Sequence, residues 1–270
     1  MNITFIGGGN MAGAIIGGLL NKGYAASALR VVEIAPATRQ RLEQQFGVKA
    51  CAAVSTDAVD CDCIVLAVKP QQVREAASAL RPLLSRQLVI SIAAGIRATD
   101  LSRWLGGYQK LARAMPNTPA LVGAGCTGLY ALPGVASADK SRVDAVLGAV
   151  GTTLWLEREE QLDAVTAVSG SGPAYVFYFI EALQQAAQEL GFAPAAAREL
   201  ALRTFSGAVK LAAGSSEDVA TLRARVTSKG GTTERAIASM DADRIKECIV
   251  TAVHAAEQRS RELGVEFGKD

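Results

Sequence analysis

The chain has 270 residues, 50% apolar and 20% charged, with a formal net charge of +2. A chain of this length buries about 75% of its unfolded surface and needs no disulfide or metal staple, and its globular composition excludes disordered and collagen-like classes. The near-neutral balance argues against a dedicated nucleic-acid binder. No uncharged apolar run approaches the ~18 residues of a membrane span.

Met1 leads directly into a strand-like run, which argues against a secretory signal. Ile3–Ile6 reads as a strand ending in Gly7-Gly8-Gly9, and a helix follows with Met11, Ile15, Leu19 and Leu20 on one face. Leu29–Ile34 reads as a second strand and Arg39–Phe46 as a second helix. Cys63–Val68 is a third strand, stopped by Pro70 and followed by a helix carrying Val73, Ala77 and Leu80. Leu88–Ala93 is a strand ended by Gly95, Thr99–Leu105 a short helix with Thr99 as its cap, and Lys110–Met115 a strand stopped by Pro116. Strand–helix alternation of this kind predicts a parallel, doubly wound sheet with helices on both faces. Continuous apolar runs such as Ile64–Val68 fit strands buried on both sides.

Near residue 157 the pattern changes to long helices: Ala174–Leu190, Pro194–Ala213 with Gly214 as its stop, and one or two more within Thr233–Leu263. The reading is therefore an α/β fold, with a dinucleotide-binding sheet over 1–157 and an all-helical domain over 158–270. The alanine-rich, apolar second half predicts burial against another chain, a homodimer through the C-terminal helices. Residues 1–157 carry 15 Lys/Arg against 10 Asp/Glu, and residues 158–270 carry 13 against 16. A mildly basic first half suits a phosphate-bearing small ligand. Five dispersed cysteines without a CxxC pair read as reduced thiols in a cytoplasm. A single histidine, His254, leaves little scope for a His-based zinc site or a Ser-His-Asp triad, and no metal is expected. Asp60-Cys61-Asp62-Cys63 reads as alternating buried cysteines at a strand entrance rather than a metal motif.

Gly7-x-Gly9-x-x-Ala12 between a strand and a helix is a dinucleotide fingerprint in its proper context. Gly7 permits the tight turn, Gly9 lets backbone approach a pyrophosphate, and Ala12 lets the helix pack closely. Free N–H groups at the helix start favour phosphate. The alternative is a glycine turn that serves chain packing only. Glu33 lies 24 residues beyond Gly9 and can accept hydrogen bonds from ribose hydroxyls, favouring NAD; nearby Arg39 and Arg41 could instead meet a phosphate. The choice between NADH and NADPH stays open. Ala67-Val68-Lys69-Pro70 and Ala93-Ala94-Gly95 end parallel strands where such sheets bind ligands, with small residues that leave room for a nicotinamide ribose. Lys69 reads as a structural or phosphate contact rather than a catalytic amine. Further on, Ser228-Lys229-Gly230-Gly231-Thr232-Thr233 opens a helix with two glycines and flanking hydroxyls, suited to a substrate carboxylate. The competing reading is an ordinary interhelical turn with a threonine cap.

Taken in chain order, Ile6-Gly7-Gly8-Gly9-Asn10-Met11, Ala67-Val68-Lys69-Pro70, Ser91-Ile92-Ala93-Ala94-Gly95, Met115-Pro116-Asn117-Thr118-Pro119, Ser169-Gly170-Ser171-Gly172-Pro173-Ala174-Tyr175 and Ser228-Lys229-Gly230-Gly231-Thr232-Thr233 resemble the bacterial pyrroline-5-carboxylate reductases. The resemblance implies a Rossmann domain, a helical dimerisation domain, and the NAD(P)H-dependent last step of proline synthesis. It also implies intertwined dimers, often assembled as rings such as decamers. It assigns the pyrophosphate to Gly7, Gly8, Gly9, Asn10 and Met11. The nicotinamide ribose falls to Val68, Lys69 and Pro70 and to Ala93, Ala94 and Gly95, and Ile6, Ala67 and Asn117 complete the implied cofactor-binding set. The substrate falls to Ser228 and Gly230 to Thr233, with Thr233 nearest the ring nitrogen. Two departures stand out. Lys229 replaces a frequent proline, and Glu33 with Ala35 stands where relatives often carry Ser or Thr for a 2′-phosphate. A protonated cyclic imine is already electrophilic, so the enzyme's task is alignment, which is worth about 7–11 kcal/mol. Thr233 could orient the ring N–H, but its hydroxyl is a poor general acid at neutral pH, and the proton donor stays unassigned. The rival readings are a hydroxyacid dehydrogenase and a non-catalytic NAD(P)-sensing dimer. The first usually needs a lysine in the helix after a Gly-Ser segment, and Pro173–Leu190 contains none.

Overall fold

The computed structural model describes residues 1–269. Two compact units divide it: Met1–Ser171 together with the turns from Ala256 onward, and Gly172–Ala255. Compactness thus cuts the chain differently from the expected 1–157 and 158–270. The physical reason is packing: the helix after residue 160 lies against the sheet, and the C-terminal turns return to it.

The first unit runs β1 (Ile3–Ile6), α1 (Asn10–Asn21), β2 (Leu29–Val32), α2 (Pro36–Phe46), β3 (Lys49–Cys51), α3 (Thr56–Val59), β4 (Cys63–Leu66), α4 (Val73–Leu80), β5 (Leu88–Ser91), α5 (Ala98–Trp104), β6 (Leu111–Met115), β7 (Gly125–Ala131), α6 (Ser137–Leu147), β8 (Gly151–Trp155) and α7 (Gln161–Val165). A π-helical turn, Thr166–Gly170, follows. Among the described residues the strands form one eight-stranded sheet in the order β3-β2-β1-β4-β5-β6-β7-β8. The order reverses at β1, between β2 and β4, creating the crevice at which such sheets bind ligands.

The sheet is not wholly parallel, which corrects the sequence reading. β7 runs antiparallel to β6, with Ala114 opposite Leu129, before β8 resumes a parallel pairing. Side chains alternate across the strands into two cores. Phe5 and Val65 join Ile15, Ile16 and Leu19 on one face, while Ile6, Ile64 and Leu66 meet Val73, Ala77 and Leu80 on the other. Each fully buried aliphatic side chain contributes about 1.5–3 kcal/mol. The inner face of α1 is Ala12, Ile15, Ile16 and Leu19, one residue's rotation from the expected set, so Met11 and Leu20 flank the contact.

Several ends also shift. α2 begins at Pro36 rather than Arg39, because proline's fixed φ suits the first helical turn. β3 and α3 had no sequence signal, being three and four residues long. α5 begins at Ala98, and Thr99 is not its cap; the Ala98 N–H donates to Glu159 Oε1 at 2.6 Å instead. Cys61 and Cys63 are buried as expected, and desolvation pushes both thiols up from their ordinary value. Since the thiolate is the reacting form, iodoacetamide at neutral pH should leave both unmodified in the folded protein. Mass spectrometry finding either labelled as fast as exposed Cys126 would contradict this.

The second unit holds α8 (Gly172–Glu189), α9 (Pro194–Ala213), α10 (Val219–Arg225), α11 (Thr232–Ala242) and the first turns of α12 (Ile245–Gly268). Pro194 starts α9 and Gly214 follows its end, as expected. Apolar side chains stay exposed across this unit, including Phe177, Tyr178, Val209 and Leu211. Tyr178, Phe179, Met240, Ile245, Ile249 and Val253 line an apolar groove of about 750 Å³. Such a surface needs a covering partner. Among the described residues no helix is long and apolar enough to cross a membrane.

Candidate active site

The crevice begins where β1 stops. Gly7 has φ +99°, a conformation that favours glycine, and its N–H donates to Val32 O at 2.8 Å. A Cβ there would sit 2.8 Å from Ala67 O and 2.9 Å from Val68 Cγ1. Gly7 is therefore required by the contact between the β1 and β4 ends. Gly9 occupies the N-cap of α1 without a side-chain cap. Its position has another reason, because a Cβ there meets no heavy atom of the described residues within 4 Å. Asn10 and Met11 form the first turn of α1, whose leading N–H groups lack intrahelical partners.

A cavity of about 480 Å³ lies beside this turn, walled by Ile6, Gly7, Gly8 and Gly9, by Glu33 to Ala35, and by Ala67, Val68 and Lys69. Bare backbone at Gly9, a helix start and this volume fit the pyrophosphate and adenosine of a dinucleotide. Pro70 begins the turn leading to α4. Ala93, Ala94 and Gly95 follow β5, next to β4 in the sheet. A Cβ on Gly95 would meet Phe267 Cδ2 at 2.9 Å, so the end of α12 backs this loop. Asn117 is committed locally: its Nδ2 donates to Ser169 Oγ at 3.0 Å, and its Oδ1 accepts from Cys126 N at 2.9 Å.

Glu33 spans two turns. Its Oε2 accepts the Gly8 N–H and its Oε1 the Ala35 N–H, both at 2.8 Å. Arg39 Nη1 donates to the carbonyls of Glu33 at 2.7 Å and Ile34 at 2.9 Å, while Arg41 Nη2 donates to Gly8 O at 3.1 Å.

Beneath the β5 and β6 ends lies a buried ionic network. Arg113 Nη1 meets Glu159 Oε1 at 2.5 Å, and Arg97 Nη2 meets Asp163 Oδ2 at 2.7 Å. Ser260 on α12 donates to Asp163 Oδ1 at 2.7 Å. Desolvation pulls the Arg113 guanidinium below its ordinary range, and Glu159 opposes that shift. The network fixes Arg97, two residues after Gly95, and ties α12 to the same loop.

The Ser228 to Thr233 segment belongs to the helical unit. Gly231 N–H donates to Ser228 O at 3.0 Å, and Gly230 N–H to Glu234 Oε2 at 2.7 Å. Gly231 is the N-cap of α11, with Thr232 and Thr233 in the first turn. No threonine side chain caps the helix, so the ordinary threonine-capped turn is not what forms here.

Sequence reasoning missed part of the crevice wall: Ala52, Ala53 and Val54 after β3, and Gln72, Glu75 and Ala76 before and within α4. The α4 residues had a signal, since they follow the Lys69-Pro70 loop. The first group depended on the unrecognised β3.

Fold and crevice together define a Rossmann-type dinucleotide-binding protein with a helical partner unit. The family model described as pyrroline-5-carboxylate reductase dimerisation matches residues 159–263, and that of NADP oxidoreductase, coenzyme F420-dependent, matches residues 2–95. The pyrroline-5-carboxylate reductase of Pseudomonas aeruginosa is 43% identical over 268 residues, covering 99% of this chain and 98% of that protein. Among solved structures, a pyrroline-5-carboxylate reductase from Coxiella burnetii matches with a TM-score of 0.92 at 40% identity, over 97% of this chain and 98% of that one. The Plasmodium falciparum pyrroline carboxylate reductase, solved with NADP bound, matches at 0.87 and 30% identity over 98% of both chains. The chain belongs to the pyrroline-5-carboxylate reductase family.

Proposed function

We propose that this protein reduces the cyclic imine of 1-pyrroline-5-carboxylate to L-proline, as an NAD(P)H-dependent oxidoreductase acting on a C–N double bond. The observation that carries the reading is the chain-long identity with reductases of that name, joined to a crevice whose glycines suit a dinucleotide. A reduced nicotinamide, when bound, supplies the hydride to the imine carbon, and the nitrogen of the protonated imine becomes the secondary amine of proline.

The chain's own residues hold and orient. The turn from Gly7 to Met11 receives the pyrophosphate. Val68 to Pro70 and Ala93 to Gly95 border the nicotinamide ribose, with Asn117 bracing the neighbouring turn. Gly231, Thr232 and Thr233 offer backbone N–H groups and hydroxyls to the substrate carboxylate and ring, and Ser228 and Gly230 shape that turn. In this division residues 1–157 serve the cofactor, while 158–270 serve dimerisation and substrate. Exposed apolar helices of the second unit support a homodimer, and rings of dimers and a cytoplasmic compartment complete the reading.

The test is direct. Absorbance of reduced cofactor should fall when synthetic 1-pyrroline-5-carboxylate is added to the protein with NADH or NADPH. Constant absorbance with both cofactors would reject the reading, whereas turnover of a 3-hydroxy acid would support a dehydrogenase. Thr233→Ala should lower kcat/KM for the imine by about tenfold, the scale of one lost hydrogen bond to a charged group. Cofactor affinity should not change. Kinetics equal to the parent's would remove Thr233 from the substrate site.

A further inference from the structure

Glu33 is the feature of the crevice least suited to a phosphorylated ribose. Its two oxygens hold two separate backbone amides, Gly8 on the turn into α1 and Ala35 on the turn into α2, each at 2.8 Å. The carboxylate is thus fixed in place, half-buried, on the wall of the crevice between two turns. We propose that this chain selects NADH over NADPH and that Glu33 makes the selection. The proposal rests on the dinucleotide-dependent reading given above.

One observation and two chemical consequences support it. The Gly8 and Ala35 amides on the crevice wall are already engaged by the carboxylate, so neither is free for a 2′-phosphate. A ribose diol can still donate to the unused lone pairs of the same oxygens. A 2′-phosphate offers acceptors only and brings like charge into a partly desolvated cleft.

The position after Ile34 matters as well. Ala35 supplies no hydroxyl to a phosphate oxygen. The nearby cations brace the turns that carry the carboxylate: Arg39 through its bonds to Glu33 O and Ile34 O, and Arg41 through its bond to Gly8 O. Lys69, also on the crevice wall, lies on the β4 side, away from the turn into α2.

Binding is read without the imine. The full-length protein is titrated calorimetrically with 5′-AMP against adenosine 2′,5′-bisphosphate, and by fluorescence with NADH against NADPH. The 2′-phosphorylated member of each pair should bind at least about tenfold more weakly. Glu33→Ser should reduce that ratio about tenfold or reverse it. Glu33→Gln, which keeps an acceptor without the charge, should fall between.

Equal or tighter binding of the phosphorylated ligands by the parent protein would overturn the proposal. So would a parental ratio retained in Glu33→Gln or Glu33→Ser. If Glu33→Ser does not fold, the parent and Glu33→Gln decide the matter. Absence of imine turnover would reject the reductase reading and leave the measured nucleotide preference standing.

Discussion

Glu159→Ala should lower unfolding free energy by about 3–5 kcal/mol, the cost of stranding a buried charge. Arg113 sits on β6 inside the sheet, buried, and its Nη1 rests on Glu159 Oε1 at 2.5 Å. The same oxygen accepts the Ala98 N–H at 2.6 Å, so one carboxylate serves both a guanidinium and the start of α5. Desolvation already disfavours the Arg113 cation, and the nearby positive charge of Arg97 adds to that. Removing Glu159 leaves Asp163 as the carboxylate opposing them, and Asp163 is engaged with Arg97 and Ser260. Urea unfolding at fixed protein concentration checks this. Trp104 and Trp155 both lie in the sheet-bearing unit and report on it. A loss under about 1 kcal/mol would mean that water or a rearranged partner satisfies Arg113. The double variant Arg113→Met/Glu159→Gln should recover part of the loss, since it removes the stranded charge rather than exposing it.

The network also explains what the sequence could reveal and what it could not. β4 and β5 were legible because strands buried on both faces read as nearly unbroken apolar runs, as Cys63–Leu66 does, while β1 and β6, interrupted by Thr4 and Arg113, were marked by the Gly7 turn and the Pro116 stop. β7 was not. Its Gly125-Cys126-Thr127-Gly128 start lacks a strand pattern, and its antiparallel direction is decided by pairing with β6. α7 carried no expectation from the sequence, and its Val165 packs 2.9 Å from where Gly128 would carry a Cβ, which places the helix with the sheet. The glycine turn and Glu33 were legible because their chemistry depends on short spacings. Asp163 with Ser260, and Gly95 with Phe267, join residues far apart in the chain, and no local pattern marks either pair. The same holds for the Glu159 cap of α5, which local reading assigned to Thr99.

Gly9→Ala should leave the fold nearly unchanged and weaken binding of reduced dinucleotide by about 10- to 100-fold. Gly9 has φ −67° and ψ −176°, a conformation open to any residue. Its Cβ would touch no heavy atom of the described residues within 4 Å. Neither strain nor packing therefore calls for glycine, and the substitution should cost less than about 1 kcal/mol of stability at an N-cap. In the proposed site glycine serves close approach by a ligand: a methyl group here would hold the pyrophosphate away from the α1 amides. Losing one charge-assisted hydrogen bond costs about 1.5–3 kcal/mol, hence the expected range. Gly7 makes the contrast, because alanine there would be strained at φ +99° and pressed against Ala67 O at 2.8 Å. Gly7→Ala should consequently disturb fold and binding together. Thermal melting and NADH fluorescence titration separate the two cases. A Gly9→Ala protein binding NADH within twofold of the parent would place the pyrophosphate elsewhere than at the start of α1.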